Sequence, residues 1–95
     1  MSKYARKADI NHAQIRDGLR ACGWRVIDVF RFPGMLDLMC VARGRFFWFE
    51  VKQEGAKLTP AEERTFEFMA DTGLCHVVYS LEDAIVIINR VDNNL

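Results

Sequence analysis

The sequence predicts a single-domain α/β fold in which a mixed sheet is flanked by helices. The apolar and polar residues alternate between helical and extended spacing in the order α-β-β-β-α-β-α. The chain has 95 residues, of which 51% are hydrophobic and 27% charged. This length leaves room for one hydrophobic core, and the composition is that of an ordinary globular protein. We therefore expect one domain over residues 1–95.

Several classes of protein are disfavoured. The longest apolar runs, 46–49 and 84–88, are far too short to cross a membrane, and the N-terminal segment lacks the apolar stretch of a secretory signal. Cys22, Cys40 and Cys75 are widely spaced in apolar surroundings, which favours free, mostly buried thiols in a reducing cytoplasm. We expect a cytoplasmic protein, without a membrane or an organic cofactor as partner.

The helices are predicted from their capping residues. The first is expected over about 9–21, with Asp9 as its N-cap. The second is expected over 60–72, because Thr59 can cap it and Glu62 can close a capping box. A third helix is expected over about 81–89. The ends of the chain are expected to differ from this pattern, residues 1–7 as a loose basic arm and residues 91–95 as a polar tail.

Four strands are predicted between these helices, over 24–30, 36–42, 45–52 and 74–79. The second is almost wholly apolar, which is typical of a strand covered on both faces. A two-residue turn at Arg43-Gly44 would join the second and third strands into a hairpin. The aromatic run 46–49 is expected to lie in the core or in a subunit interface rather than to stack on bases.

The hairpin register brings three charged side chains together. If Ala42 pairs with Arg45, then Asp37 lies opposite Glu50, and Lys52 lies on the same face as Glu50 because the side-chain period of a strand is two. Two opposed carboxylates require a shared proton, a basic partner or a divalent cation. Two carboxylates are a common donor set for Mg²⁺, and a nearby lysine could orient a water or stabilise a phosphorane, which suits phosphodiester hydrolysis. The alternative is a structural salt bridge from Asp37 or Glu50 to Lys52.

The segments around these residues resemble a known family. Residues 34–38 (GMLDL), 49–52 (FEVK) and 57–60 (KLTP) are similar to motifs of the PD-(D/E)XK nuclease superfamily, and most of all to its small VRR-NUC-type members. The similarity covers roughly residues 9–88, including the opening segment 9–15. The resemblance implies a restriction-endonuclease-like α-β-β-β-α-β core and metal-dependent cleavage of DNA, in the cytoplasm of a bacterial or phage-infected cell.

The resemblance also implies a role for each motif residue. Asp37 and Glu50 would bind Mg²⁺ or Mn²⁺, with the backbone carbonyl of Val51 as a further ligand. Lys52 would assist the attacking water.

Three positions depart from the family pattern. Gln14 stands where relatives often have a glutamate near the metal; it could contact the site, be a buried amide or lie on the surface. Glu62 stands where relatives usually have a glutamine, and it could act beside the site, serve as the capping residue, or both. Leu36 replaces the usual proline before the motif aspartate.

The basic residues are concentrated in the first third of the chain. Residues 1–31 hold seven basic and three acidic side chains, although thirteen of each cancel over the whole chain. This section could contact phosphates, or it could be a solvated helix face. The candidate phosphate contacts are Arg6, Lys7, Arg16, Arg20, Arg31 and Lys57.

The function expected from these observations is a Mg²⁺-dependent DNA endonuclease. Family and size favour a homodimer acting on branched DNA such as a Holliday junction, because cutting two strands needs two sites and two-fold dimers are the commonest oligomers. The alternative is a nuclease-like module that binds DNA or a protein without cutting. Gln14 is the feature that favours this alternative.

Overall fold

The computed structural model describes residues 3–30, 32 and 35–93, and it describes side chains for these residues except 3–10, 72 and 91–93. The elements are α1 (Lys3–Ala21), β1 (Arg25–Asp28), β2 (Leu38–Ala42), β3 (Arg45–Val51), α2 (Pro60–Met69) with a 3₁₀ turn (Ala70–Thr72), β4 (Cys75–Val78) and α3 (Leu81–Asn93). The predicted α/β architecture with a mixed sheet between helices is confirmed.

The four strands form one sheet in the order β1-β2-β3-β4. The first three strands are antiparallel neighbours, and β4 runs parallel to β3 after the α2 crossover. The tight turn between β2 and β3 consists of Arg43 and Gly44, with φ of 53° and 78°. Left-handed backbone at both positions is the geometry of a two-residue hairpin turn. Ala42 pairs with Arg45, so the predicted register is confirmed.

One face of the sheet carries the core. Phe47, Phe49 and Cys40 are fully buried on this face and pack in one cluster with residues of α1 and α3. The side chain of Leu81 in α3 packs directly against Gly18 in α1, in the space that a Cβ at this position would occupy. The glycine therefore gives Leu81 room to lie close to α1.

The opposite face carries the alternate residues of each strand. Ile27, Met39 and Trp48 lie in one row across β1, β2 and β3, and Glu50 follows Trp48 on the same face. Because Glu62 contacts Lys52 here, α2 also lies on this side of the sheet. The sheet therefore separates a helix-covered apolar face from a face that carries the predicted site.

The ends of the helices correct two expectations. α1 begins at Lys3, so the predicted arm is helical from that residue and Asp9 is not its N-cap. α3 continues to Asn93, which places residues 91–93 of the predicted tail in a helix. The predicted turn residues Pro33 and Gly34 lie outside the described residues.

The structure also bears on two expectations from the sequence, that the cysteines are free and mostly buried and that no segment crosses a membrane. All three cysteines are free; Cys40 is buried and Cys75 partly so, but Cys22 is exposed after the end of α1, against expectation. Among the described residues, no helix combines the length and the apolar character that a membrane span requires.

Two adjacent phenylalanines test the assignment of faces. We expect Phe47→Ala to lower the free energy of unfolding by about 3–5 kcal/mol, because it empties a fully buried site in the core. Phe46→Ala, in which the truncated ring is 57% exposed, should cost less than about 1 kcal/mol. Urea denaturation measures both, and equal losses would contradict the assignment.

Candidate active site

Asp37 lies at the point where β2 leaves the sheet. Its amide donates to the carbonyl of Phe49 at 3.1 Å, and its carbonyl accepts from the amide of Val29 at 2.9 Å. Its side chain continues the pairing, since Oδ2 accepts from the backbone amide of Val51 at 2.8 Å. Leu36 before it is buried, so the residue that replaces the family's proline contributes to packing. The backbone on both sides therefore fixes the orientation of the carboxylate.

Glu50 is the most buried carboxyl group of the site, with 5% of its surface exposed. Its carboxyl group lies beside those of Asp37 and Glu62, whose negative charges act on it. Burial, and then the neighbouring negative charges, raise the pKa of Glu50 to about 9. Burial also raises the pKa of Asp37, although the amide of Val51 opposes this shift. The two predicted carboxyl groups are thus brought together, and Glu50 holds a proton at neutral pH.

Lys52 contacts Glu62 rather than Asp37 or Glu50, so the salt bridge considered from the sequence has a different acceptor. Its Nζ lies 2.7 Å from Oε1 of Glu62. The same oxygen accepts from the amide of Thr59 at 2.8 Å, which completes the predicted capping box at the start of α2. Burial alone would raise the pKa of Glu62, but hydrogen bonds from Lys52 and from the Thr59 amide bring it below its usual range. Glu62 therefore both caps α2 and lies beside Lys52, which are the two alternatives that the sequence left open.

Two residues of α1 that the sequence analysis did not select also reach this end of the sheet. Asn11 donates from Nδ2 to the carbonyl of Lys52 at 3.1 Å. His12 is buried, bonds through Nε2 to Asp28 at the end of β1, and packs edge-on against Phe30. Helical spacing in the sequence could have identified both residues, because they lie one turn before the buried Ile15 on the sheet-facing side of the helix.

Gln14 is exposed on α1, while Asn11 one turn earlier makes the contact with the end of β3. The contact of Gln14 with a metal or a substrate stays a prediction.

The candidate phosphate contacts fall into three groups. Arg16 is held between Asp17 and Asp28, and Arg20 donates to the carbonyl of Val26 at 2.8 Å. Lys57 is exposed in the loop before α2. The side chains of Arg6 and Lys7, and the whole of Arg31, lie outside the described residues.

The donor atoms of the site fit a hard divalent cation. Asp37 and Glu50 supply carboxylate oxygens, and Val51 lies between the two motif residues with its carbonyl as a possible further donor. Among the described residues, no group of three or more His, Cys, Asp or Glu side chains is placed to bind one metal ion. Mg²⁺ would need only one or two carboxylates here, because it keeps several of its waters.

The buried proton of Glu50 predicts how stability depends on pH. An unfolded glutamate loses its proton near 4.5, whereas the folded one keeps it until about 9, so the folded state is favoured less as the pH rises through this range. From about pH 7 to about pH 9, we expect the melting temperature of the metal-free protein to fall by about 10–20 °C, because one proton costs about 1.4 kcal/mol per pH unit over most of this interval and about 1 kcal/mol shifts the melting temperature of a domain of this size by about 4–8 °C.

Glu50→Gln should remove most of this fall, because an amide does not ionise. Glu54→Gln, in an exposed loop, is the matched control and should retain the fall. Differential scanning calorimetry over the pH series measures all three proteins. The same slope in all of them would show that Glu50 does not hold the proton.

Comparison with known proteins supports the resemblance seen in the sequence. No protein-family model and no curated protein matches the chain. A solved structure described as a VRR_NUC domain superposes with a TM-score of 0.71 and 25% sequence identity, over 87% of this chain and 95% of that one. The chain is therefore similar over most of its length to a VRR_NUC domain, and it has a nuclease fold.

Proposed function

We propose that the protein is a Mg²⁺-dependent DNA endonuclease that hydrolyses phosphodiester bonds. The observation that carries the proposal is the pair of adjacent carboxyl groups, the partly buried Asp37 and the buried Glu50, on a nuclease fold. Their mutual repulsion is the physical reason for a cation there, because a divalent ion can replace the shared proton and neutralise both groups. Mn²⁺ is the alternative ion, since it prefers the same oxygen ligands.

Each residue of the cluster has a defined task in this proposal. Asp37 and Glu50 hold the ion, together with the carbonyl of Val51. The bound ion supplies Lewis-acid activation of the phosphate and of a water. Lys52 orients the attacking water and stabilises the negative charge that develops on the phosphate oxygens. Glu62 positions the ammonium group of Lys52, and Asn11 fixes the backbone of the same residue.

The proposed substrate is branched DNA, such as a Holliday junction, and the proposed active form is a homodimer. The chain has only 95 residues, so one copy offers a small surface to a duplex. Two copies related by a two-fold axis would present two sites to two strands of opposite polarity. The exposed Lys57 and the basic first helix are the proposed phosphate contacts.

Asp37→Asn and Lys52→Met test the catalytic roles. We expect each to lower Mg²⁺-dependent cleavage by at least about 100-fold, because one removes a ligand charge and the other a charge that acts on the transition state. Asp37→Asn keeps an oxygen for the Val51 amide, so the fold should be retained. Asp71→Asn, exposed after α2, is the matched control and should cleave like the wild type. Cleavage that survives both site substitutions would refute the assignment.

Calorimetric titration with Mn²⁺ separates an active site from a degenerate one. The wild type should bind the ion, and Glu50→Gln should abolish binding while Glu54→Gln leaves it unchanged. A wild type that binds no Mn²⁺ but still binds DNA would favour the module that no longer cuts.

The substrate preference is tested with matched DNA. A labelled four-way junction and a linear duplex of the same sequence are incubated with the protein and Mg²⁺, with EDTA as the control. We expect the junction to be cut at least about tenfold faster, since only it offers two strands at the geometry of a two-site dimer. Equal rates would remove the branched substrate from the proposal but retain the nuclease.

A further inference from the structure

The outer edge of β4 has little protection against pairing with another chain, although the amide of Tyr79, just past its end, donates to Oδ2 of Asp83 at 2.9 Å. β4 is the last strand in the sheet order, and among the described strands only β3 pairs with it. Its four residues, Cys-His-Val-Val, include no aspartate, glutamate, lysine, arginine or proline. The other edge strand, β1, contains Arg25 and Asp28. Natural proteins place charges, proline or a covering element on free edges, so an uncharged edge is expected to have a partner.

The free hydrogen-bonding groups of β4 can be assigned from its pairing with β3. The carbonyls of Leu74 and Val78 accept from the amides of Trp48 and Lys52. In a parallel ladder alternate residues point to opposite sides, so the amides and carbonyls of Cys75 and Val77 face outward. Val77 lies at the centre of this outward-facing row.

A groove runs beside this edge, between β4 and α3. It has a volume of about 440 Å³, and the apolar part of its lining includes Val77, Tyr79 and Val86. Val86 is 49% exposed and Tyr79 40% exposed, which is high for large apolar side chains. The middle of the helix, at Val86, therefore lies beside the middle of the strand, at Val77.

The outer stripe of α3 has a charge pattern that complements itself. Glu82, Val86 and Arg90 follow one another at intervals of four residues, so they lie on one side of the helix, and all three line the groove. The stripe is acidic at its start, apolar in its middle and basic at its end. If a second α3 lies antiparallel to the first, each acidic end meets a basic end and the two apolar centres meet each other.

We propose that a second copy of this chain pairs along β4, antiparallel and about a two-fold axis that passes between Val77 and the partner's Val77. This inference rests on the proposed homodimer and assigns its interface. Val77 exchanges two hydrogen bonds with the partner's Val77, and the two sheets form one continuous sheet of eight strands. Glu82 lies against the partner's Arg90, and Arg90 lies against the partner's Glu82. The same surface meets itself, as a two-fold interface requires.

This arrangement fixes the relation between the two sites. Val77 pairs with Glu50 across β3 and β4, so Glu50 lies in the row that the two-fold axis crosses. Three strand spacings separate Glu50 from the partner's Glu50, or about 14 Å. Because the axis is perpendicular to the sheet, both sites open on the same face. A single branched substrate can then reach both sites at once.

The charges on α3 give a direct test of the interface. Analytical ultracentrifugation of the full chain should show a dimer for the wild type. Glu82→Lys and Arg90→Glu should each raise the dissociation constant at least about tenfold, because each places like charges opposite one another twice per dimer. The double variant Glu82→Lys/Arg90→Glu should restore the dimer.

A mixture of the two single variants is the most selective measurement. In the mixture, Lys at position 82 of one chain meets Glu at position 90 of the other, and the remaining pair is native. Two variants that are each monomeric should therefore form a heterodimer when mixed. A general loss of folding would not be reversed by mixing, and circular dichroism of each variant checks the fold.

A disulfide at the axis tests the strand pairing itself. In a Cys22→Ser background, Val77→Cys should cross-link under mild oxidation, because Cα atoms of a hydrogen-bonded antiparallel pair lie about 5.5 Å apart, within the range of a disulfide. Ile27→Cys, half-exposed on the other edge strand, is the matched control and should stay monomeric on a non-reducing gel.

The outcomes are separable from those of the proposed function. A wild type that stays monomeric overturns the inference, even if it cleaves DNA or binds an extended peptide along β4. A dimer that tolerates both charge reversals, or that cross-links at position 27 and not at 77, also overturns it. A dimer with the expected cross-link but without nuclease activity supports the interface and refutes the enzyme.

Discussion

An imbalance of charge controls the site. The carboxyl groups of Asp37, Glu50 and Glu62 lie together, and the ammonium group of Lys52 is already bound to Glu62. The partly buried Asp37 and the buried Glu50 are therefore left without a matching cation among the described contacts of the cluster. A proton on Glu50 satisfies this constraint in the protein alone, and the proposed divalent ion would satisfy it when bound.

The backbone of the sheet supports this unfavourable arrangement. The tight hairpin turn sets the register of β2 and β3, and the register places Asp37 beside the Phe49–Val51 segment. Where β2 leaves the sheet, the carboxylate of Asp37 accepts a hydrogen bond from the amide of Val51. In a regular ladder, a backbone carbonyl of the neighbouring strand would accept this bond. The site is thus built into the pairing of two strands, and the core beneath them holds it in place.

The sequence predicts the parts of this structure that depend on local rules. Strand alternation and turn chemistry gave the hairpin register, and the Thr59-to-Glu62 spacing gave the start of α2. The partner of Lys52 was missed, because its choice among three carboxyl groups depends on how α2 packs over the sheet. The contacts of Asn11 and His12 were missed for a similar reason: helical spacing identifies the face but not the strand end that the face meets. The first residues of α1 were expected to be a loose arm because they lack a capping signal.

Glu62 connects two distant properties of the molecule. One oxygen of its carboxylate holds both the lysine of the site and the first turn of α2, and the same helix borders the β4 edge through Phe66. Because one oxygen accepts from both groups, a change in the position of the Lys52 ammonium group also changes the cap of α2. The charge of the site and the start of a helix are therefore held by the same atom, so a substitution at Glu62 cannot alter one without the other.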